Sequence, residues 1–151
     1  MLQLNLPSSD FTVKQGEKGH LIFDRFRRKY VKLTPEEWVR QHFLMYLTEN
    51  KGYPTALLAV ETQLNLNGMK KRCDAVLFDL KANPHLIIEL KAPNIPITQG
   101  VFDQVAVYNA KLKVRYFMLS NGMEHYCCHV NTETASYDFF EGIPDYDQIN
   151  L

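Results

Sequence analysis

Cysteine is scarce in this chain, with only Cys73, Cys127 and Cys128 among 151 residues. So few thiols, two of them adjacent, exclude a disulfide framework. No secretory apolar segment precedes the first charges, so a reducing cytoplasm is the expected location. Long hydrophobic runs are missing too, and no stretch is apolar over the length a bilayer requires, which removes a spanning helix and any expected membrane partner. Net charge is absent, since 17 Lys and Arg balance 17 Asp and Glu. The protein as a whole therefore does not draw in a polyanion, and any nucleic-acid footprint must be local. Cys127 and Cys128 lie between His125 and His129, but they lack the separated paired-ligand spacing of structural zinc. Their side chains would alternate across a strand, and buried thiols are the expected outcome.

What the chain does have is enough apolar content, 46% by residue, for one ordinary core. Residues 1–19 carry Pro7, Ser8, Ser9, Gly16 and Gly19 and read as an irregular arm with a short edge strand over 11–13, contributing little. Residues 20–151 read as a single domain. Segments 20–24 and 29–33 form a small hairpin whose turn and second strand hold Arg25, Arg27, Arg28, Lys29 and Lys32. That is the one dense positive patch, placed to grip backbone phosphates, with the bland alternative that it is a solvated turn.

Thr34-Pro35-Glu36-Glu37 is a helix start: Thr34 caps, Pro35 takes the first helical position and Glu37 closes a capping box. The helix is predicted over 35–49, with Trp38, Val39, His42, Phe43, Met45, Tyr46 and Leu47 on its apolar face. Strand-forming residues over 57–66 precede Asn67-Gly68, a tight-turn pair, and then a meander continues through 69–72 and the two strands described next. Beyond Pro93 and Pro96, Thr98 caps a second helix to about Lys111, with Val101, Val105, Tyr108 or Asn109, and Leu112 as its core stripe. Strands over 114–120 and 124–130 flank Asn121-Gly122, and 137–140 adds an edge strand or helical turn. The sum is an α/β mixed central sheet flanked by helices.

Residues 73–80 and 85–91 read as neighbouring strands joined by Lys81-Ala82-Asn83-Pro84. Pairing Leu80 with His85 places Asp74 opposite Lys91 and Val76 opposite Glu89, with Asp74 diagonal to Glu89 and all three charged side chains on one face. Glu89 interrupts the apolar run Leu86-Ile87-Ile88, where a charge calls for a reason. Two carboxylates on one face repel unless a cation lies between them, which suits a hard, oxygen-preferring ion such as magnesium. Asp74, Glu89 and the carbonyl of Leu90 are the predicted ligands, and Lys91 supports an attacking water or offsets developing charge. The competing reading is three solvated charges at a hairpin edge.

Asp74, Glu89-Leu90-Lys91 and the later Gln104-Val105-Ala106-Val107-Tyr108 resemble the PD-(D/E)XK nuclease superfamily. More narrowly, Ile22-Phe23-Asp24, the run from Tyr30 to His42, Lys91-Ala92-Pro93 and Asn121-Gly122 resemble the N-terminal nuclease domain of type I restriction enzyme R subunits in a short stand-alone form. The resemblance implies a restriction-endonuclease-like fold and a magnesium-dependent DNA endonuclease, with manganese able to substitute. Asp74 and Glu89 would bind the ion, Lys91 would assist water attack, and Gln104 and Tyr108 would position DNA or the lysine. An acid on the first helix, Glu37 with Glu36 and Glu49 as rivals, would join the metal. The chain has no Gly-x-x-x-x-Gly-Lys segment, so it is not expected to translocate DNA by itself. DNA is the implied partner, with a second copy or restriction or repair subunits as others. Two alternatives stay open: a non-catalytic DNA-binding or subunit-docking module, and a small metal-binding structural protein.

Overall fold

The computed structural model describes residues 2–149. The first strand, β1 (Val13–Gly16), joins β2 (Gly19–Asp24) and β3 (Lys29–Lys32) in a three-stranded antiparallel sheet. The predicted hairpin is present, and Asp24 builds its turn: its carboxylate accepts the backbone N–H groups of Phe26 and Arg27. The arm contributes more than its composition suggests. Its strand runs over Val13–Gly16 rather than 11–13, Leu4 is buried in the main core, and the Trp38 indole N–H donates to the Leu2 carbonyl.

Helix α1 (Pro35–Asn50) starts where expected, with Thr34 Oγ1 accepting the Glu37 N–H at 3.0 Å. The reciprocal half of the capping box is absent, because the Glu37 carboxylate is taken by Arg27, Arg40 and Gln41. A 3-10 turn then leads into the main sheet, formed by β4 (Leu58–Leu66), β5 (Met69–Phe78), β6 (Pro84–Leu90), β7 (Tyr116–Ser120), β8 (His125–Val130) and β9 (Tyr137–Phe139), in that spatial order. All neighbours are antiparallel except β6 and β7, whose parallel pairing requires the crossover supplied by α2 (Gln99–Leu112). Asn67 and Gly68 have φ of 51° and 74°, so the β4–β5 connection is the primed turn their sequence predicts. A short helix, α3 (Tyr146–Ile149), follows. No helix among the described residues is long and apolar enough to cross a membrane.

The sheet is covered on both faces. Val39, Phe43, Leu44 and Leu47 of α1 pack on Ala75, Leu77, Leu86, Ile88, Leu90, Met118 and Cys127. Phe102, Val105 and Ala106 of α2 pack on Phe117, Leu119, Cys128 and Val130, while Leu112 closes over Val76 and Ile87. The buried stripe of α2 is thus Phe102, Val105, Ala106, Asn109 and Leu112, with Val101 and Tyr108 at its margin. Cys127 and Cys128 face opposite layers, as alternation along a strand requires.

The β5–β6 register differs from the expected one by two residues: Ala75 pairs with Ile88, Val76 with Ile87 and Leu77 with Leu86. The cause is Asp79, whose Oδ1 accepts the N–H groups of Lys81 and Asn83 while its own N–H donates to the Asn83 carbonyl. The loop therefore opens at Asp79 rather than Lys81, and Leu80 is left 89% exposed at its tip. A two-residue shift preserves which face a side chain occupies. Continued outward, the observed register brings Asp74 beside Glu89 instead of diagonal to it.

Candidate active site

On β6, alternation sends Leu86, Ile88 and Leu90 toward α1 and Ile87 toward α2. Glu89 shares the α2 side, and its side chain is only 14% exposed. Lys71 Nζ stands 2.9 Å from Glu89 Oε1 and is its ion-pair partner. Burial first, and then the neighbouring Asp74 carboxylate, push the Glu89 carboxyl up from 4.5 to about 7, against the opposing pull of Lys71.

Asp74 occupies a break in the sheet. Val60 pairs with Ala75 and Thr62 with Cys73, but the intervening Glu61 and Asp74 do not pair. Glu61 has φ of 52°, a left-handed conformation unusual for a non-glycine residue within a strand. Cys73 packs with the α2-side cluster although Ala75, two residues on, faces α1, so β5 is distorted at Asp74. The freed carboxylate is held from two directions: Arg40 Nη2 donates to Oδ1 at 2.7 Å, and the Leu90 N–H donates to Oδ2 at 2.8 Å. The second bond ties the acid of β5 to the end of β6, between Glu89 and Lys91.

Arg40, on α1, is the hub of this side. Its guanidinium also meets Glu37 at 2.6 Å and Glu61 at 2.5 Å. Burial works to lower its pKa, but the bonds to Asp74, Glu37 and Glu61 outweigh it and raise the value. Arg72 adds a further bond to Glu61 at 3.0 Å.

On the other side, Lys71, Glu89, Lys91, Gln104 and Tyr108 line one cleft under α2. The i, i+4 spacing of Gln104 and Tyr108 puts both on one side of α2, beside its buried stripe, with Gln104 exposed and Tyr108 half-buried. Lys71 Nζ lies 5.3 Å from the centre of the Tyr108 ring. Asp74 does not line this cleft and approaches Glu89 from the α1 side. The three charges thus converge from two sides of a strand end rather than projecting from one face.

Other predicted positions separate. Glu37 is buried among Arg27, Arg40 and Gln41, while Glu36 is the first-helix acid whose pKa is raised, by burial and then by Asp74. In the basic patch, Arg27 is committed to Asp24 and to Glu37, the latter at 2.8 Å, and Arg25 bonds the Asp10 carbonyl. Arg28, Lys29 and Lys32 are exposed. Among the described residues, no three or more His, Cys, Asp or Glu side chains are grouped to hold a metal ion.

The profile of the family described as type I restriction enzyme R protein N terminus (HSDR_N) matches residues 35–144, most of the chain. The chain belongs to this family. A solved fragment of a protein assigned as an HsdR subunit of a type I restriction enzyme from Vibrio vulnificus YJ016 has the same fold. It superposes with a TM-score of 0.54 at 20% identity over 78% of this chain. The chain spans only 24% of that structure's length. No curated protein matches the sequence. The match covers α1, the strands of Asp74 and Glu89, and α2, so the family assignment and the site geometry concern the same part of the molecule.

Arg40, Glu61 and Lys71 are site residues that sequence pattern does not single out. Arg40 had one weak signal, its spacing three and four residues after Glu37 and Glu36 on the same helix. Lys71 had a weaker one, standing two residues before the buried Cys73 and so on its side of the strand. The bend that brings Glu61 in has no signal we can identify.

Proposed function

We propose that this domain is a magnesium-dependent nuclease, most simply a DNA endonuclease, with Asp74 and Glu89 as the metal-holding acids. The observation that carries this reading is Glu89 itself: a nearly buried carboxylate whose pKa is raised by burial first and then by a second carboxylate, Asp74, beside it. Such a pair is costly to ionise and is relieved by a divalent cation. Two acids suffice for magnesium, which keeps several waters and accepts one or two carboxylates plus substrate phosphate. The donor set therefore fits. Asp74, Glu89 and the Leu90 carbonyl would hold the ion, which supplies polarisation of the phosphoryl group and a more acidic bound water. Manganese would fill the same oxygen set.

The remaining chemistry belongs to the chain. Lys91 lines the cleft beside Glu89 and offsets negative charge developing on the phosphate or orients the attacking water. Gln104 and Tyr108 border the same cleft and position the scissile strand. Arg40 holds Asp74, and the Leu90 N–H fixes its second oxygen, so the acid is oriented before any ion arrives. Glu36, coupled to Asp74 and Lys91, is better placed than Glu37 to serve as the acid of the first helix. Arg28, Lys29 and Lys32, with Arg25 at their margin, would carry phosphate contacts, while Arg27 is structural. Residues 20–151 act as one nuclease domain with the arm packed on it, in the cytoplasm, alongside restriction or repair subunits or a second copy.

A second reading, a DNA-binding or subunit-docking module that does not cut, draws on the cations already seated on both acids. A cleavage panel with magnesium and manganese on duplex, single-stranded and branched DNA and on RNA separates the two. The nuclease reading expects metal-dependent cleavage by wild type and none by Glu89→Gln. Equal cleavage by both proteins removes Glu89 from the chemistry.

A further inference from the structure

Two cations serve the two acids, and their situations are unequal. Arg40 contacts Asp74 but also Glu37 and Glu61, and more distantly Glu36, so it keeps three carboxylates if Asp74 is taken away. Lys71 has Glu89 as its carboxylate among the described residues; its other neighbours are the Arg72 carbonyl at 3.1 Å and the face of Tyr108. Lys71 lines the same cleft as Lys91, Gln104 and Tyr108. The Lys71 side chain is 24% exposed, so it is not sealed inside.

From this asymmetry we propose that Lys71 is a second substrate-contacting lysine, which neutralises Glu89 in the metal-free protein and transfers to a substrate phosphate once a divalent cation takes the carboxylate. The inference rests on the nuclease reading of the same site. A cation arriving at Asp74 and Glu89 makes both resident counter-ions redundant there. Arg40 then stays on α1 with Glu37 and Glu61. Lys71 is left as an ammonium without an anion, 5.3 Å from an aromatic face that favours a cation, in a cleft bordered by a second ammonium. A phosphodiester oxygen is the ligand such a pair of lysines takes, and its negative charge replaces for Lys71 the carboxylate taken by the cation. Lys71 thereby opposes metal binding in the free protein and favours nucleic-acid binding in the loaded one.

Those two effects have opposite signs on removal, which a merely structural lysine does not produce. Lys71→Met keeps the apolar stem and deletes the charge; Lys71→Gln serves as a second variant if the first does not give a native circular dichroism spectrum. Calcium and manganese affinities are measured by calorimetry on wild type and variant. Binding of a short fluorescein-labelled duplex DNA is then measured by anisotropy in calcium between about 50 and 200 mM salt.

The expected result is tighter ion binding by the variant, about five- to tenfold, as the value of losing one competing partly buried charge. With it comes weaker DNA binding and a salt slope smaller by about 0.9, the loss of one phosphate contact. Unchanged or weaker ion binding by a folded variant overturns the proposal, and so does an unchanged salt slope. If wild type binds no ion, the nuclease reading falls and takes this inference with it. If wild type binds an ion that Glu89→Gln loses, while Lys71→Met behaves as wild type, the inference alone falls.

Discussion

Replacing Glu89 by Gln should stabilise the metal-free protein at neutral and alkaline pH while destroying its use of metal. In the unfolded chain Glu89 ionises near 4.5; in the fold burial and Asp74 delay ionisation to about 7. The folded state therefore binds a proton more tightly, so its relative stability is full below about pH 4.5 and is lost as pH rises through 7. The difference corresponds to about 3 kcal/mol once Glu89 is ionised in both states. Little of this is screened, since the side chain is 14% exposed. The pull of Lys71 already lies within the net shift. Gln cannot ionise, so the variant escapes the loss and should exceed wild type by about 2–3 kcal/mol near pH 8, roughly 5–10 °C in melting temperature for a chain of this size. Denaturant unfolding of both proteins in chelator, from about pH 4.5 to 8, gives a difference curve in which groups common to both cancel. The curve should rise through that window and flatten above it. Added magnesium should then raise the stability of wild type, by mass action, and leave the variant unmoved. A difference curve that is flat, or a variant less stable than wild type near pH 8, would refute the reasoning.

Arg40→Ala should cost about 3–5 kcal/mol, because it leaves the largely buried Asp74 without its guanidinium and takes one of two from Glu37 and from Glu61, and urea unfolding would reveal it. A loss under about 1 kcal/mol would mean that water replaces the guanidinium freely. Gly122→Ala should destabilise by about 1–2 kcal/mol, since φ there is 86° and a Cβ would fall 2.8 Å from Leu4 Cδ2, so thermal melts of this variant also test whether the arm is docked. Neutralising Arg28, Lys29 and Lys32 together should weaken DNA binding and reduce its salt slope by about 2–3 without changing stability. Arg27→Ala should do the reverse, lowering stability through the lost bonds to Asp24 and Glu37 while leaving the salt slope in place.

Much of the fold was legible because local chemistry and global structure agree. Thr34-Pro35 starts α1, Asn67-Gly68 turns β4 into β5, and Asn121 accepts the N–H groups of Met123 and Glu124 in the turn before β8. Glu89 was conspicuous as a charge within an apolar run, and its burial and raised pKa follow from that placement. The register was misread where a side chain competed with the backbone: Asp79 looked like the last polar residue of a strand and is instead the builder of the loop. A shift of two alone would have kept Asp74 and Glu89 on one face, but the distortion of β5 at Asp74 turns that carboxylate to the α1 side, so the two acids meet from opposite sides rather than on a shared face. The counter-ions were hidden for a different reason. Arg40 reaches Asp74 across packed layers from a helix, and Lys71 reaches Glu89 from the neighbouring strand of the same sheet, and no periodicity within one element encodes a contact between elements. The arm was undervalued on the same ground, since Leu4 is buried by what it packs against rather than by its own irregular neighbourhood.

Joint binding of one divalent cation by Asp74 and Glu89 is most directly measured by calorimetric titration of wild type, Asp74→Asn and Glu89→Gln with manganese and with magnesium. Wild type should bind with defined stoichiometry, and each single substitution should remove that binding while the circular dichroism spectrum stays native. Folded variants that bind the ion as wild type does, or a wild type that binds none, would contradict the metal site on which the functional account depends.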